Sequence, residues 1–133
     1  MSSHRLNYYR NMFLSAAIFN FFAGSTLLFM FSEFYVFIGG ENIQPSALFD
    51  AFRILVALLV LLFGFVYLYI SQNIQTEYSR ALSTVSLIGK LVFFGVFSTF
   101  AFADQLPMGL AGLVFLDLVY SLLFLEYVRY VKG

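Results

Sequence analysis

Four long apolar stretches constrain the fold of this chain more than any other feature. They cover roughly residues 12–31, 47–70, 82–102 and 108–128. Each is close to the ~20 residues that a helix needs to cross about 30 Å of hydrocarbon. Strands of a membrane barrel would be about half as long and would alternate apolar with polar residues. We therefore predict an all-α polytopic membrane protein, with residues 1–133 forming a single four-helix transmembrane bundle.

The composition favours the same class of protein. Hydrophobic residues make up 62% of the chain and charged residues 11%, whereas a soluble domain has about 25% charged residues. The seven basic and seven acidic residues balance, so no basic surface exists for a nucleic-acid partner. Cysteine is absent and the single histidine is His4. This excludes disulfides, iron–sulfur clusters and a bis-histidine haem within the chain, and we predict no cofactor and no metal site.

Basic residues flank the apolar stretches on one side of a four-helix arrangement. They are Arg5, Arg10, Arg80, Arg129 and Lys132. The opposite connections carry Glu41 and Asp104 and no lysine or arginine. The positive-inside rule then predicts cytoplasmic termini and a multi-pass protein of the bacterial inner (cytoplasmic) membrane. The first apolar stretch is long for a signal peptide and lacks a small-residue cleavage site, so we expect a retained helix, with residues 33–38 along the outer interface.

A few polar residues fall inside the apolar stretches, where ionisable groups are costly. From the helical rise, Asn20 and Lys90 lie about 12 Å deep and Asp117 about 16 Å deep. We predict that Asp117 lies in the bundle interior and pairs with Lys90, with Asn20 close enough to donate a hydrogen bond. Tyr120 and Ser121 share the helix side of Asp117. These five residues form the predicted polar core.

Two interpretations of the Lys90–Asp117 pair stay open at this point. It is either a buried ion pair that fixes helix register or a proton- or ligand-coupling site, and its balanced charge favours the structural one. Asp50 and Arg53 form a second predicted pair, three residues apart on the outer side of the second helix. Glu33 is another candidate partner of Arg53. We interpret this outer-side pair as structural or interfacial.

Small residues recur at helical spacing beside these polar positions. Ala16, Asn20 and Gly24 repeat every four residues, which lets helix backbones approach closely. Gly109 and Gly112 are expected to thin the start of the fourth helix in the same way.

No catalytic residue is predicted. The chain has no Gly-rich phosphate loop, no nucleophile elbow and no HExxH sequence. Its serines have no histidine within the apolar stretches to activate them. This favours a non-enzymatic protein.

The segments AAIFNFFAG, LIGKLVFFG, LPMGL and LDLVY resemble a group of small, uncharacterised bacterial four-helix membrane proteins that are loosely DoxX-like. In that pattern an Asn before a small residue, Gly-Lys, Leu-Pro and Asp-Leu recur. Here they fall on Asn20 with Gly24, Gly89–Lys90, Leu106–Pro107 and Asp117–Leu118. The chain lacks the tryptophans of the group's first and fourth helices. The resemblance implies a four-helix fold with the Lys/Asp pair and no established activity, although some DoxX-type proteins resemble subunits of quinone-linked oxidoreductases.

Three functions are compatible with these features. The first is a non-enzymatic subunit or scaffold that contacts the lipid bilayer and binds other membrane subunits or itself as a homo-oligomer. The second is a transporter or carrier of a small apolar or weakly polar ligand, with or without coupling to protons. The third is a subunit of a quinone-linked membrane oxidoreductase. A cavity beside Asp117 would favour the second or third, and a tightly packed core the first.

Overall fold

The computed structural model describes residues 1–131, which form five α-helices. They are α1 (Ser3–Phe29), α2 (Phe31–Phe37), α3 (Ala47–Gln72), α4 (Glu77–Phe102) and α5 (Met108–Tyr130). All except α2 are long and apolar enough to cross a membrane, which indicates a multi-pass membrane protein. The prediction of an all-helical chain with four long apolar helices is confirmed. Lys132, used above to predict orientation, lies outside the described residues.

Two helices, α1 and α4, begin earlier than their apolar stretches, because capping residues set their starts. The Ser2 hydroxyl accepts a hydrogen bond from the Arg5 N–H at 3.4 Å, so α1 starts at Ser3 rather than near residue 12. Thr76 accepts one from the Ser79 N–H at 3.2 Å, so α4 starts at Glu77 rather than near residue 82. Arg5, Arg10 and Arg80 therefore lie within helices and not in flanking segments, as does Arg129 because α5 continues to Tyr130.

The helix is interrupted at Met30, which lies between α1 and α2. One long apolar stretch is therefore divided into a spanning helix and a short helix. Gly39 follows α2 with φ of +99°, a left-handed conformation that glycine adopts without steric cost. We call the end of the bundle that holds α2, residues 38–46 and the 103–107 turn the α2 end. The opposite end, with the N-terminus, the 73–76 turn and the end of α5, is the terminal end.

The four long helices form two antiparallel hairpins. α1 packs along α3 and α4 along α5, while backbone contact between the hairpins is much more limited. Gly24 shows how closely α1 and α3 approach, since a Cβ there would lie 2.7 Å from Cγ of Leu61 and 3.2 Å from the carbonyl oxygen of Ala57. Gly109 similarly meets the carbonyl of Ile38, whereas Gly112 borders open space and does not serve the predicted packing role.

Aromatic side chains join the two hairpins at the terminal end. Phe13 stacks on Phe124 with ring centroids 4.7 Å apart and meets Tyr127 edge-on at 5.0 Å. Tyr9 and Tyr67 extend the same cluster, and all five rings are buried. The Tyr127 hydroxyl also donates a 2.6 Å hydrogen bond to a carbonyl in the α3–α4 turn. The terminal end is therefore closely packed.

The outer surface is rich in large apolar side chains. Phe22, Phe29 and Phe37 are each more than 70% exposed. Water would disfavour such a surface, and hydrocarbon would accommodate it. This distribution agrees with four helices that cross a membrane.

Candidate functional site

The predicted pair meets in the middle of the bundle. Nζ of Lys90, from α4, lies 2.6 Å from Oδ1 of Asp117, from α5. The side chains are 6% and 16% exposed, respectively. A charge-assisted bond this short is at the strong end of protein hydrogen bonds. The two residues come from the same hairpin, so the ion pair closes within the α4–α5 unit.

Asn20 connects this ion pair to the other hairpin. Its Oδ1 accepts a 3.5 Å hydrogen bond from Nζ of Lys90, and its Nδ2 donates to the carbonyl of Val60 at 3.1 Å. We had expected Asn20 to donate to Asp117, and it donates instead to α3. The reason is local: the close packing of α1 on α3 brings the Val60 carbonyl within reach. The amide therefore bridges α1, α3 and α4.

Three aromatic rings surround the Lys90 ammonium. Its Nζ lies 5.3 Å from the ring centre of Tyr67, 5.4 Å from that of Tyr120 and 5.8 Å from that of Phe19. Rings within about 6 Å attract a cation through their quadrupole. Tyr67 and Phe19 were not predicted as site residues, because an aromatic residue inside an apolar stretch gives no sequence signal of a polar contact.

Tyr120 and Ser121 lie beside the pair without binding the carboxylate. The Tyr120 hydroxyl shares a 3.0 Å hydrogen bond with Oγ of Ser15 on α1. Oγ of Ser121 donates to the backbone carbonyl of Asp117 at 2.6 Å. Tyr120 therefore contacts the Lys90 ammonium through its ring, and the Ser121 side chain bonds only to the backbone of its own helix.

A cavity of about 450 Å³ lies between the hairpins and extends from the ion pair toward the α2 end. All five helices contribute to its lining, which is mainly apolar and rich in phenylalanine. Lys90, Asp117 and Arg53 are its charged lining residues. Ile38 and Leu106 line it at the α2 end, and Tyr67 lines it beside the ion pair. The bundle is therefore closely packed at the terminal end and contains a cavity toward the α2 end.

Arg53 binds the end of α1. Its Nη1 donates to the carbonyls of Leu27 and Leu28, at 2.8 Å each. These belong to the last turn of α1, whose carbonyls have no partner within their own helix. Nε lies 3.5 Å from Oδ1 of Asp50, so the predicted outer-side pair is present but long. Glu33 makes no hydrogen bond or salt bridge to Arg53 in the described part of the chain.

The described residues offer no metal site. Within residues 1–131, no three His, Cys, Asp or Glu side chains come together in a way that could hold a metal ion. The charged groups of the cavity lining supply ion pairing and hydrogen bonding, and the rest of the lining is mainly apolar and aromatic surface.

Comparison with protein-family models, with curated proteins and with solved structures gave no match. The resemblance to DoxX-like proteins therefore stays a prediction from the sequence segments given above.

Proposed function

We propose that the protein binds one largely apolar, membrane-dissolved molecule in the cavity between its hairpins, as a carrier or as a ligand-binding membrane subunit. The observation that carries this proposal is the mainly apolar cavity of about 450 Å³ that borders Lys90 and Asp117. Its volume is within the ~300–1,000 Å³ of small-molecule sites, and its lining has their usual character of apolar walls with a few polar groups.

The cavity is partly open to the outer surface, since Phe22 and Phe52 line it and are 72% and 60% exposed. A membrane-dissolved molecule can therefore reach it, and the apolar lining favours one that dissolves in hydrocarbon.

The ion pair supports this function by forming one end of the cavity. As a unit, Lys90 and Asp117 carry no net charge, and their contact with Asn20 holds the two hairpins together at that depth. Below them the aromatic cluster fills the bundle. The pair therefore separates the packed terminal end from the hollow α2 end.

A quinone is a second candidate occupant, since aromatic side chains such as Phe63 and Phe93 line the cavity and can stack on a planar ring. In that case the chain would be a subunit of a quinone-linked oxidoreductase, with its redox partner on another chain.

Native mass spectrometry of the protein extracted in mild detergent tests the proposal. A Cβ at Gly89 meets nothing within 4 Å, and Gly89 lines the cavity, so Gly89→Phe fills the space without a backbone clash. Gly95 is equally unobstructed and lies outside the lining, so Gly95→Phe is the matched control. We expect a bound small molecule in the wild type and Gly95→Phe, and none in Gly89→Phe. Stoichiometric foreign subunits with no small molecule would overturn the proposal in favour of a scaffold.

We also propose that the terminal end faces the cytoplasm of a bacterial inner membrane. The described basic residues near that end are Arg5, Arg10, Arg80 and Arg129. The α2 end holds Glu41 and Asp104. Because the chain has no cysteine, Ser2→Cys and Asn42→Cys can be labelled separately in intact cells. A membrane-impermeant maleimide is expected to label position 42 and not position 2, and the reverse pattern would contradict this orientation.

A further inference from the structure

The charges that line the cavity do not balance. Lys90 and Asp117 neutralise each other at 2.6 Å, which leaves Arg53 as the third charged lining residue. The lining therefore carries one excess positive charge. Asp50 offsets it only in part, because it lies outside the lining, is 53% exposed and meets Nε at 3.5 Å. An ion pair with such an exposed partner is weak.

The Arg53 guanidinium also has donors to spare. Nη1 donates to two carbonyls of α1, and Nε faces Asp50. Within residues 1–131, Nη2 donates no hydrogen bond to a protein group. The contacts with α1 hold the guanidinium in place, so a bound anion would meet an already ordered group. Arginine is well suited to carboxylate and phosphate oxygens, because its N–H groups form a planar fork.

Arg53 and the ion pair lie at different depths of the cavity. Asn20, which contacts Lys90, bonds to Val60, and Val60 is seven residues along α3 from Arg53. Seven residues of helix span about 10 Å. An occupant with its head at Arg53 would therefore extend its apolar part along phenylalanine-lined walls, toward the end lined by the pair and Tyr67.

Resting on the proposed function, we propose that the occupant is a single-chain amphiphile whose anionic head, a carboxylate or a phosphate, binds to Arg53 at the α2 end. The volume of about 450 Å³ is in the lower part of the range for ligand sites, which favours one acyl chain over the two of a diacyl lipid.

The test compares three probes of equal chain length, chosen to match this span of about 10 Å: decanoate, decyl phosphate and decanol. Each is titrated into the full-length protein in a nonionic detergent and bound probe is counted by native mass spectrometry. We expect at least one anion to bind about tenfold or more tightly than the alcohol, since a hydrogen bond to a charged group is worth that factor. Preference between the two anions identifies a free fatty acid or a phosphate-headed lipid as the source.

Variants then assign the preference to Arg53. Arg53→Gln is expected to remove the difference between anion and alcohol, and Arg53→Lys to keep part of it. Arg10→Gln, an exposed arginine at the terminal end, is the matched control and is expected to change nothing. Asp50→Asn, at a position whose side chain is 53% exposed, is expected to strengthen anion binding by removing the competing carboxylate. The last variant keeps the test valid should Arg53→Gln fail to fold.

Two results would overturn this inference, and they differ in their meaning. Equal binding of all three probes, still lost in Gly89→Phe, would refute the anionic head and leave the proposed cavity function intact. Both proposals would be refuted if no probe bound and if the small molecules that co-purify with the protein were the same in the wild type and Gly89→Phe.

Discussion

Removing either member of the Lys90–Asp117 pair is the most direct test of how much this ion pair contributes to the free energy of unfolding. Lys90→Met leaves the Asp117 carboxylate without its donor at 2.6 Å. Asp117→Asn leaves Lys90 with the Asn20 amide oxygen at 3.5 Å and three rings within 6 Å of its ammonium. The lysine thus keeps partners that the aspartate lacks, and the two single losses should differ.

The magnitudes follow from this asymmetry. Removing one partner of a buried pair costs about 3–5 kcal/mol, which we expect for Lys90→Met. For Asp117→Asn we expect about half that loss, because the asparagine oxygen still accepts a hydrogen bond and cation–π contacts persist. The double variant leaves no unpaired charge, so it should lose about 2 kcal/mol less than the sum of the single losses.

Unfolding in detergent micelles measures these free energies. The chain has no cysteine and no tryptophan, so a buried Ser83→Cys provides a thiol that reacts with a dye only on unfolding. Asp104→Asn, in an exposed turn, serves as a control with an expected change below about 0.5 kcal/mol. If the losses of the two single variants simply add within about 0.5 kcal/mol, the ion pair is not an energetic unit and our reasoning fails.

Three further substitutions and one control test the packing and a buried hydrogen bond, with the same thiol assay. Phe13→Ala removes a fully buried ring from the aromatic cluster and is expected to cost about 3–5 kcal/mol; a loss below about 1 kcal/mol would show that the terminal end is loosely packed. Gly24→Ala places a Cβ 2.7 Å from Leu61 and is expected to cost about 1–3 kcal/mol, whereas Gly112→Ala has open space and should be neutral; equal effects would contradict the close α1–α3 contact. Tyr127→Phe leaves a buried turn carbonyl unpaired and is expected to cost about 1–3 kcal/mol, and an unchanged stability would mean that water replaces the hydroxyl.

Hydropathy predicted the number and type of the long helices because a segment that spans a membrane must be predominantly apolar along its whole length. It also predicted where α3 and α5 begin, at residues 47 and 108, but not where α1 and α4 begin. The start of α1 depends on Ser2 and that of α4 on Thr76, and both caps lie in polar sequence where no apolar periodicity exists. The separate helix α2 was also missed, since its apolar residues continue directly from those of α1.

The contact between Lys90 and Asp117 could be anticipated because depth along a helix is a linear function of residue number. The partners of Asn20 and Arg53 could not, since both side chains bind backbone carbonyls, which every residue possesses. The cavity had no sequence signal either. It lies between two hairpins that make little backbone contact, and the same apolar residues could equally line a closed interior.

The division into two hairpins also bears on how the chain enters a bilayer during synthesis. Lys90 and Asp117 both belong to the α4–α5 hairpin, so this hairpin can partition into lipid with its charges already joined. Arg53 finds its carbonyl partners on α1, within the first hairpin. Neither half needs the other to offset the insertion cost of a charge, which is about 2.5–3.5 kcal/mol for an isolated residue. A swapped Lys90→Asp/Asp117→Lys chain should therefore insert into the membrane as efficiently as the wild type. Lys90→Asp alone should insert its α4–α5 hairpin less efficiently, because that hairpin would then carry two unpaired carboxylates.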